Sequence, residues 1–352
     1  MLYIHHTTCI SPQPGLVGGE EASVLAGGEG PGTAAGPVNG VYRVVEPGYP
    51  GIPANMLRRM SKAVRLGVGA AMPLIREERI DGILIGTGNG GMEESVKFLR
   101  QIVDYAEGML APGNFVQGIP NAIASQIGLS GHLRGYNSTY IHRGLGFEHA
   151  LIDASMLISE HPGTRYLVGG VDEVSGYHYR IELADGWYKT TVTPGLSLYD
   201  YDSPGSIAGE GAALFLVSGE SADAVAAIKG IETFHSTDQH IVATRLRAFL
   251  ARHLPAGSQP GQQLSGSPAL YLSGENGDNR ALPFYSACAA VLDPAVPVVR
   301  YKHLCGEYPT ASAFAVWLAL QLAPPQPLPQ HILFYNNHKL TQHSFIMLER
   351  FR

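Results

Sequence analysis

Three cysteines in 352 residues, Cys9, Cys288 and Cys305, are too few and too scattered for a disulfide framework or a thiolate metal site. That scarcity points to a reducing, cytoplasmic setting. Charge is also sparse: 15% of residues are charged, 24 basic against 30 acidic, for a net −6. Without clustered Lys and Arg, a protein that coats nucleic acid is excluded. Long hydrophobic runs are missing too. The most apolar stretch, from Ala311 to Ala323, is shorter than the roughly 20 residues a bilayer span needs, and it ends in Pro324-Pro325. It reads as a buried helix, and no membrane partner is expected. The opening Met1-Leu-Tyr-Ile-His-His has neither the basic start nor the apolar run of a signal peptide, so no targeting segment is expected.

What is present is enough apolar material for a large core, 45% of the chain. Leu2 to Ile10 alternates as a strand does. From about Gly15 to Gly40 the chain is rich in Gly, Ala and Glu, and reads as a mobile loop or insertion. Pro53 sits where a helix starts. Met56, Met60, Val64, Leu66 and Val68 then mark an apolar stripe, with Arg58, Arg59 and Lys62 expected outside it. A breaker-rich stretch from Pro255 to Ser267 follows a helix expected over about Ile241 to Arg252.

An internal repeat organises the rest. Ile83-Leu-Ile-Gly-Thr-Gly-Asn-Gly-Gly is an apolar strand, a glycine turn and a helix from about Glu93 to Tyr105. Leu270-Tyr-Leu-Ser-Gly-Glu-Asn-Gly-Asp has the same form, with a helix near Leu282 to Leu292. A second strand and helix follow each: Ser138 to Ile141 with Gly146 to Ile158, and Val298 to Tyr301 with Thr310 to Leu322. Tyr166-Leu-Val-Gly-Gly closes the first copy and Ile332-Leu-Phe-Tyr the second. Two βαβαβ halves, placed at 1–218 and 219–352, predict an α/β layered sandwich of parallel strands with a site between the halves.

Two motifs carry chemistry. Gly86-Thr-Gly88-Asn-Gly-Gly91 matches a dinucleotide fingerprint, with Asp104 and Glu107 near the expected distance. Against it, the turn does not follow the first strand, and the repeat copy keeps only Gly274 and Gly277, so the glycines can serve packing alone. In Gly209-Glu-Gly-Ala, Glu210 is a carboxylate running into an apolar strand. It either caps backbone amides or belongs to a site.

Gly209-Glu-Gly-Ala, the Gly86 turn, Leu167-Val-Gly-Gly-Val-Asp-Glu and Lys302-His-Leu-Cys-Gly-Glu together resemble a β-ketoacyl-ACP synthase of the thiolase superfamily, over nearly the whole chain. The resemblance implies a duplicated five-layer αβαβα fold, a dimer, and acyl chains delivered on an acyl carrier protein. It also implies a Cys nucleophile at a strand-to-helix turn and two His residues that promote decarboxylation and stabilise the enolate and oxyanion. All three depart here. Setting the family pattern on Ser138-Thr-Tyr-Ile-His-Arg-Gly144 puts Ile141 at the Cys, and the histidines fall on Glu275 and Glu307. The family's late glycine-rich loop is replaced by Asn336-Asn-His-Lys-Leu-Thr-Gln-His.

Isoleucine forms no acyl-enzyme, and two ionised glutamates repel an enolate unless they share a proton. Cys305 and Cys288 are the remaining thiols, both more consistent with buried packing. His142 and Arg143 could pair with Glu275 or Glu307, while Glu210, Asn276, Lys302 and Asn337 complete the expected pocket. Phe115, Ile119 and Phe147 line an acyl tunnel or are plain core. The leading reading is a non-condensing partner subunit, similar to a chain-length factor of aryl-polyene or flexirubin pathways. It would pair with an active ketosynthase or with itself and would need no cofactor or metal. The other reading is an autonomous acyltransferase or hydrolase using Glu275 and Glu307 as acid and base.

Overall fold

The structure, a computed structural model, describes residues 1–13, 36–76, 79–193, 196–254, 267–322 and 330–351. Most of the Gly15–Gly40 stretch, nearly all of Pro255 to Ser267, and Pro324-Pro325 lie outside the described residues. The first repeat runs β1 (Leu2–Ile10), β2 (Val41–Tyr42), α1 (Ala54–Leu57), α2 (Lys62–Ile75), β3 (Gly82–Thr87), α3 (Met92–Asp104), α4 (Pro112–Gly118) and α5 (Ala122–Gly131). It continues through β4 (Tyr136–Ile141), α6 (Gly146–Glu160), β5 (Arg165–Asp172), α7 (Gly176–Ala184), β6 (Ala208–Gly209) and β7 (Gly211–Ser218). The second has β8 (Ala226–His235), α8 (Gln239–His253), β9 (Leu270–Ser273), α9 (Leu282–Ala289), β10 (Val298–Arg300) and α10 (Lys302–Cys305). It ends with α11 (Ala311–Gln321), β11 (Gln330–His338) and β12 (Gln342–Arg350).

Ten strands form one sheet in the order β10-β9-β11-β12-β8-β1-β7-β5-β3-β4. The arrangement of β1, β3, β4, β5 and β7 recurs in β8, β9, β10, β11 and β12. In each set four strands run parallel, and the last in sequence, β7 or β12, is antiparallel to both neighbours. The sets join where Leu2–Ile4 pairs antiparallel with Ala226–Ile228. This corrects the all-parallel expectation: β5 and β11 do not close their repeats, and an antiparallel strand follows each. A fully buried strand reads as an apolar run in either direction, so the sequence pattern does not distinguish the two.

Side-chain alternation sorts these strands into layers. Leu84, Val168, Leu270, Leu272, Ile332 and Phe334 face inward with Phe147, Leu151 and Ala154 of α6 and most of α11. Their neighbours Ile83, Ile85 and Leu167 face the opposite way, against α2 and α5. Tyr271, Leu333, Tyr335, Phe345 and Met347 likewise face α8 and α9. The result is five layers, helix–sheet–helix–sheet–helix, with α6 and α11 in the middle. α11 is buried on every side, which is why its sequence is apolar all round rather than striped.

The helix expected from Pro53 is broken in two. Ser61 caps α2, its hydroxyl accepting from the Val64 amide. Lys62 does not sit outside, because it pairs with the buried Glu210. No helix among the described residues is long and apolar enough to cross a membrane.

Candidate functional site

A cavity of about 580 Å³ opens at the carboxyl ends of strands from both repeats. Gly88, Asn89 and Arg143 line it from the first repeat, Asn276, Asp278 and Glu307 from the second. The stretch from His178 to Tyr188 and the β11–β12 hairpin complete the wall. Crevices outside the carboxyl ends of parallel strands are where open α/β sheets hold ligands.

The turn expected to hold a nucleophile lies between β4 and α6. Its pattern position, Ile141, is 55% exposed at the end of an edge strand, outside the cavity. A short 3-10 segment, Arg143–Leu145, separates strand from helix, so the strand's last residue is not the one that faces the centre. The residues that do are Arg143, which lines the cavity, and Gly144, buried behind it. A Cβ placed on Gly144 would lie 2.2 Å from the Cβ of His338, so no side chain fits there while His338 stays. The β11–β12 hairpin clamps this turn. Gln342 accepts from the Gly144 amide at 3.0 Å, and its own amide donates to the His142 carbonyl at 3.3 Å.

Glu275 and Glu307 do not form a pair. Glu275 binds Arg300 at 3.2 Å and is absent from the cavity lining. The next residue, Asn276, reaches the cavity instead and donates to Glu307 at 2.7 Å. Lys302, fully buried, holds the other carboxylate oxygen at 2.7 Å. His338 Nδ1 lies 3.9 Å away, beyond hydrogen-bond range. Burial alone would raise the Glu307 carboxyl, but the Lys302 ammonium outweighs it and holds the pKa down at about 2. Glu275 and Glu307 thus sit in separate ion pairs, and the structure does not bring them together as an acid–base pair.

The other expected residues divide. Asn337 lines the cavity, with its amide engaged by His343 and the Gln342 carbonyl. His142 does not line it; the ring stacks on His149 at 4.7 Å and lies 5.6 Å from His235. The expected pairing of His142 or Arg143 with either glutamate is absent, because Arg300 and Lys302 take both acids. Glu210 is remote: it accepts from the Val44 and Val174 amides and pairs with Lys62 and Arg43. That is the capping role, reinforced by charge. Phe147 is core against Phe215, whereas Phe115 and Ile119 are exposed. Cys288 and Cys305 are buried with thiol pKa values pushed up by desolvation, which removes nucleophilic character.

The glycine turn after β3 is a clasp. Asp172 accepts from the Thr87 hydroxyl and from the Gly88 and Asn89 amides through one oxygen. Through the other it accepts from the Thr310 amide and hydroxyl, tying the first repeat to the head of α11. The amides that would cradle a pyrophosphate are spent on this carboxylate. A Cβ at Gly88 would lie 2.3 Å from Pro309, so the glycine serves close packing. Among the described residues no group of three or more His, Cys, Asp or Glu side chains is arranged to hold a metal.

Sequence reasoning missed Gly144, His338 and Trp187. A glycine and a lone histidine in an irregular hairpin carry no periodic signal, and only the loss of the glycine-rich loop pointed to 336–343.

The comparisons agree with this architecture. Residues 37–203 match the family model of the β-ketoacyl synthase, N-terminal domain. The ishigamide ketosynthase/chain length factor is similar at 21% identity, over 100% of this chain and 99% of that one, with a TM-score of 0.72. A β-ketoacyl synthase from Burkholderia phymatum STM815 is 16% identical, over 100% and 99%, at 0.75. A chain of the ketosynthase ApeO in complex with its chain length factor ApeC, from Xenorhabdus doucetiae, is 18% identical, over 99% and 98%, at 0.69. No curated protein matches the chain. Residues 37–203 are therefore similar to the β-ketoacyl synthase N-terminal domain, on a chain that has the fold of the ketosynthase structures throughout.

Proposed function

We propose that this protein is a non-condensing subunit that pairs with an active ketosynthase and acts, as a chain-length factor does, on acyl chains held by a carrier protein. The observation that carries the reading is the turn before α6. Where the family needs a thiol, the chain has Arg143 and Gly144, and His338 occupies the space a side chain would fill. Thioester attack needs a nucleophile in that position, and hydrocarbon, glycine and a guanidinium supply none. Two of the similar structures bear titles that name a chain length factor, which fits the same reading.

A docking face supports the partner. β4 is an edge strand of the ten-stranded sheet, with backbone groups left to pair. On the strand Tyr136 and Ile141 are exposed, and the first repeat also exposes Leu99, Val103, Met109, Phe115, Val116 and Ile119 between residues 99 and 119. Apolar groups so concentrated in one stretch of sequence mark an interface with protein. The acyl chain is of the polyene, polyketide or fatty-acid type.

Co-expression with an intact ketosynthase tests the proposal. Expected are a stable one-to-one complex and a product length that differs from that of the ketosynthase without this subunit. Loss of the complex on Ile141→Asp would locate the contact at β4. Condensing activity by the isolated chain would refute the reading.

A further inference from the structure

We infer that the cavity is a binding site for a small organic molecule carrying an oxyanion, received by Arg143. The charges around the cavity are settled among themselves except at this residue. Glu182 pairs with His178 at 3.1 Å and with Lys339. Asp278 holds Arg280 at 2.7 Å, Glu307 holds Lys302, and Asp185 accepts from the Trp187 indole at 2.6 Å. Arg143 alone among these cations has no acid within ion-pair distance among the described residues. Its planar fork suits carboxylate or phosphate oxygens.

The backbone is built for this exposure. Arg143 has φ +50°, a left-handed conformation that a non-glycine residue adopts only when its surroundings enforce it. The Gln342 clamp on Gly144 and on the His142 carbonyl provides that enforcement on both sides. Lys339 and Leu340, also in the lining, have positive φ at 49° and 63° as the central residues of the β11–β12 hairpin turn. Arg143 is the lining residue whose left-handed conformation no hairpin turn accounts for, and strain of this kind collects where a ligand is held. The Asn89 carboxamide and the Tyr188 hydroxyl, both in the lining, have no hydrogen-bond partner among the described residues and can serve the rest of a ligand. Trp187, Tyr308 and Leu340 offer apolar contact. A volume of about 580 Å³ holds a small molecule rather than an ion alone.

The site belongs to the isolated chain and does not depend on the partner proposed above. Titration calorimetry on the full chain tests it with succinate, inorganic phosphate and, as the uncharged control, succinamide. Succinate or phosphate is expected to bind, and whichever does identifies the source of the oxyanion. Succinamide is expected not to bind. Arg143→Gln is expected to weaken the bound probe at least about tenfold, the loss of one charged hydrogen-bonding partner, while Arg143→Lys retains part of it. Raised salt weakens binding to the unaltered chain. If neither anion binds, if succinamide binds as well as succinate, or if Arg143→Gln leaves affinity unchanged, the inference is wrong. An unaltered unfolding midpoint for Arg143→Gln shows that its loss of binding is local.

Discussion

Replacing Lys302 with Met is expected to destabilise the protein by about 3–5 kcal/mol, a large share of the roughly 5–15 kcal/mol that holds a native chain together. The cost is electrostatic. Lys302 is fully buried behind the cavity, its ammonium 2.7 Å from a Glu307 oxygen. Bringing two such charges out of water costs several kcal/mol each, and their mutual attraction returns it only while both are present. Methionine keeps the hydrocarbon and removes the charge. Glu307 is then left with Asn276 as its close partner, and its carboxyl, no longer held at about 2, rises steeply. The companion Lys302→Met/Glu307→Gln removes both charges and is expected to recover most of the loss. Urea unfolding of the three proteins measures this. A single-variant cost under about 1 kcal/mol, or a double variant no better than the single, would contradict the account.

Acid is the second lever, and histidines set its direction. Burial depresses His343 and His303 from the ordinary 6.5 to about 4, with the Arg300 charge adding to the effect at His303. Geometry explains His343: its Nε2 faces the Ser236 carbonyl at 2.9 Å and so carries the proton. Its Nδ1 accepts from the Tyr335 hydroxyl and the Asn337 amide. A second proton, on Nδ1, would face the Asn337 amide and force the Tyr335 hydroxyl to turn from donor to acceptor. Because the unfolded chain takes up protons first, stability is full above pH 6.5 and falls as pH drops toward 4. The loss is on the order of 3 kcal/mol for each ring. Glu173 opposes it. Burial raises this carboxyl to about 7, so the folded state binds a proton first and gains stability between about pH 7 and 4.5. Among these three groups the net is a decline of about one histidine's worth. Unfolding midpoints across that range are expected to fall less steeply in His343→Gln and more steeply in Glu173→Gln. The opposite order of slopes would show that these groups do not govern acid unfolding.

Much of the fold was legible because it is written in periods. β3 and β9, each an apolar run ending in glycine, announced the duplication, and Gly146 to Ile158 marked the central helix to within two residues. The strands β8 and β12 escaped notice: neither ends in a glycine turn, and polar residues interrupt the run, Lys229, Glu232 and Thr233 in one and Gln342, His343 and Ser344 in the other. The site was harder, since turns carry no period. Glu275 and Asn276 differ by one position, yet one points to Arg300 and the other into the cavity. Ile141 stands three residues before Gly144, and the polar pair His142-Arg143 between them carries no periodic signal. The sequence places Lys302 in the pocket but does not name its partner. Only packing shows that it is the counter-charge of Glu307.

The central claim is that the turn before α6 cannot carry an acyl group. Intact-mass spectrometry tests it on the isolated chain and on a mixture with an intact ketosynthase, each incubated with acyl carrier protein bearing an acyl thioester. The account predicts an added acyl mass on the ketosynthase and none on this chain in either sample. An acyl mass on this chain, mapped to any residue of the cavity, would contradict it.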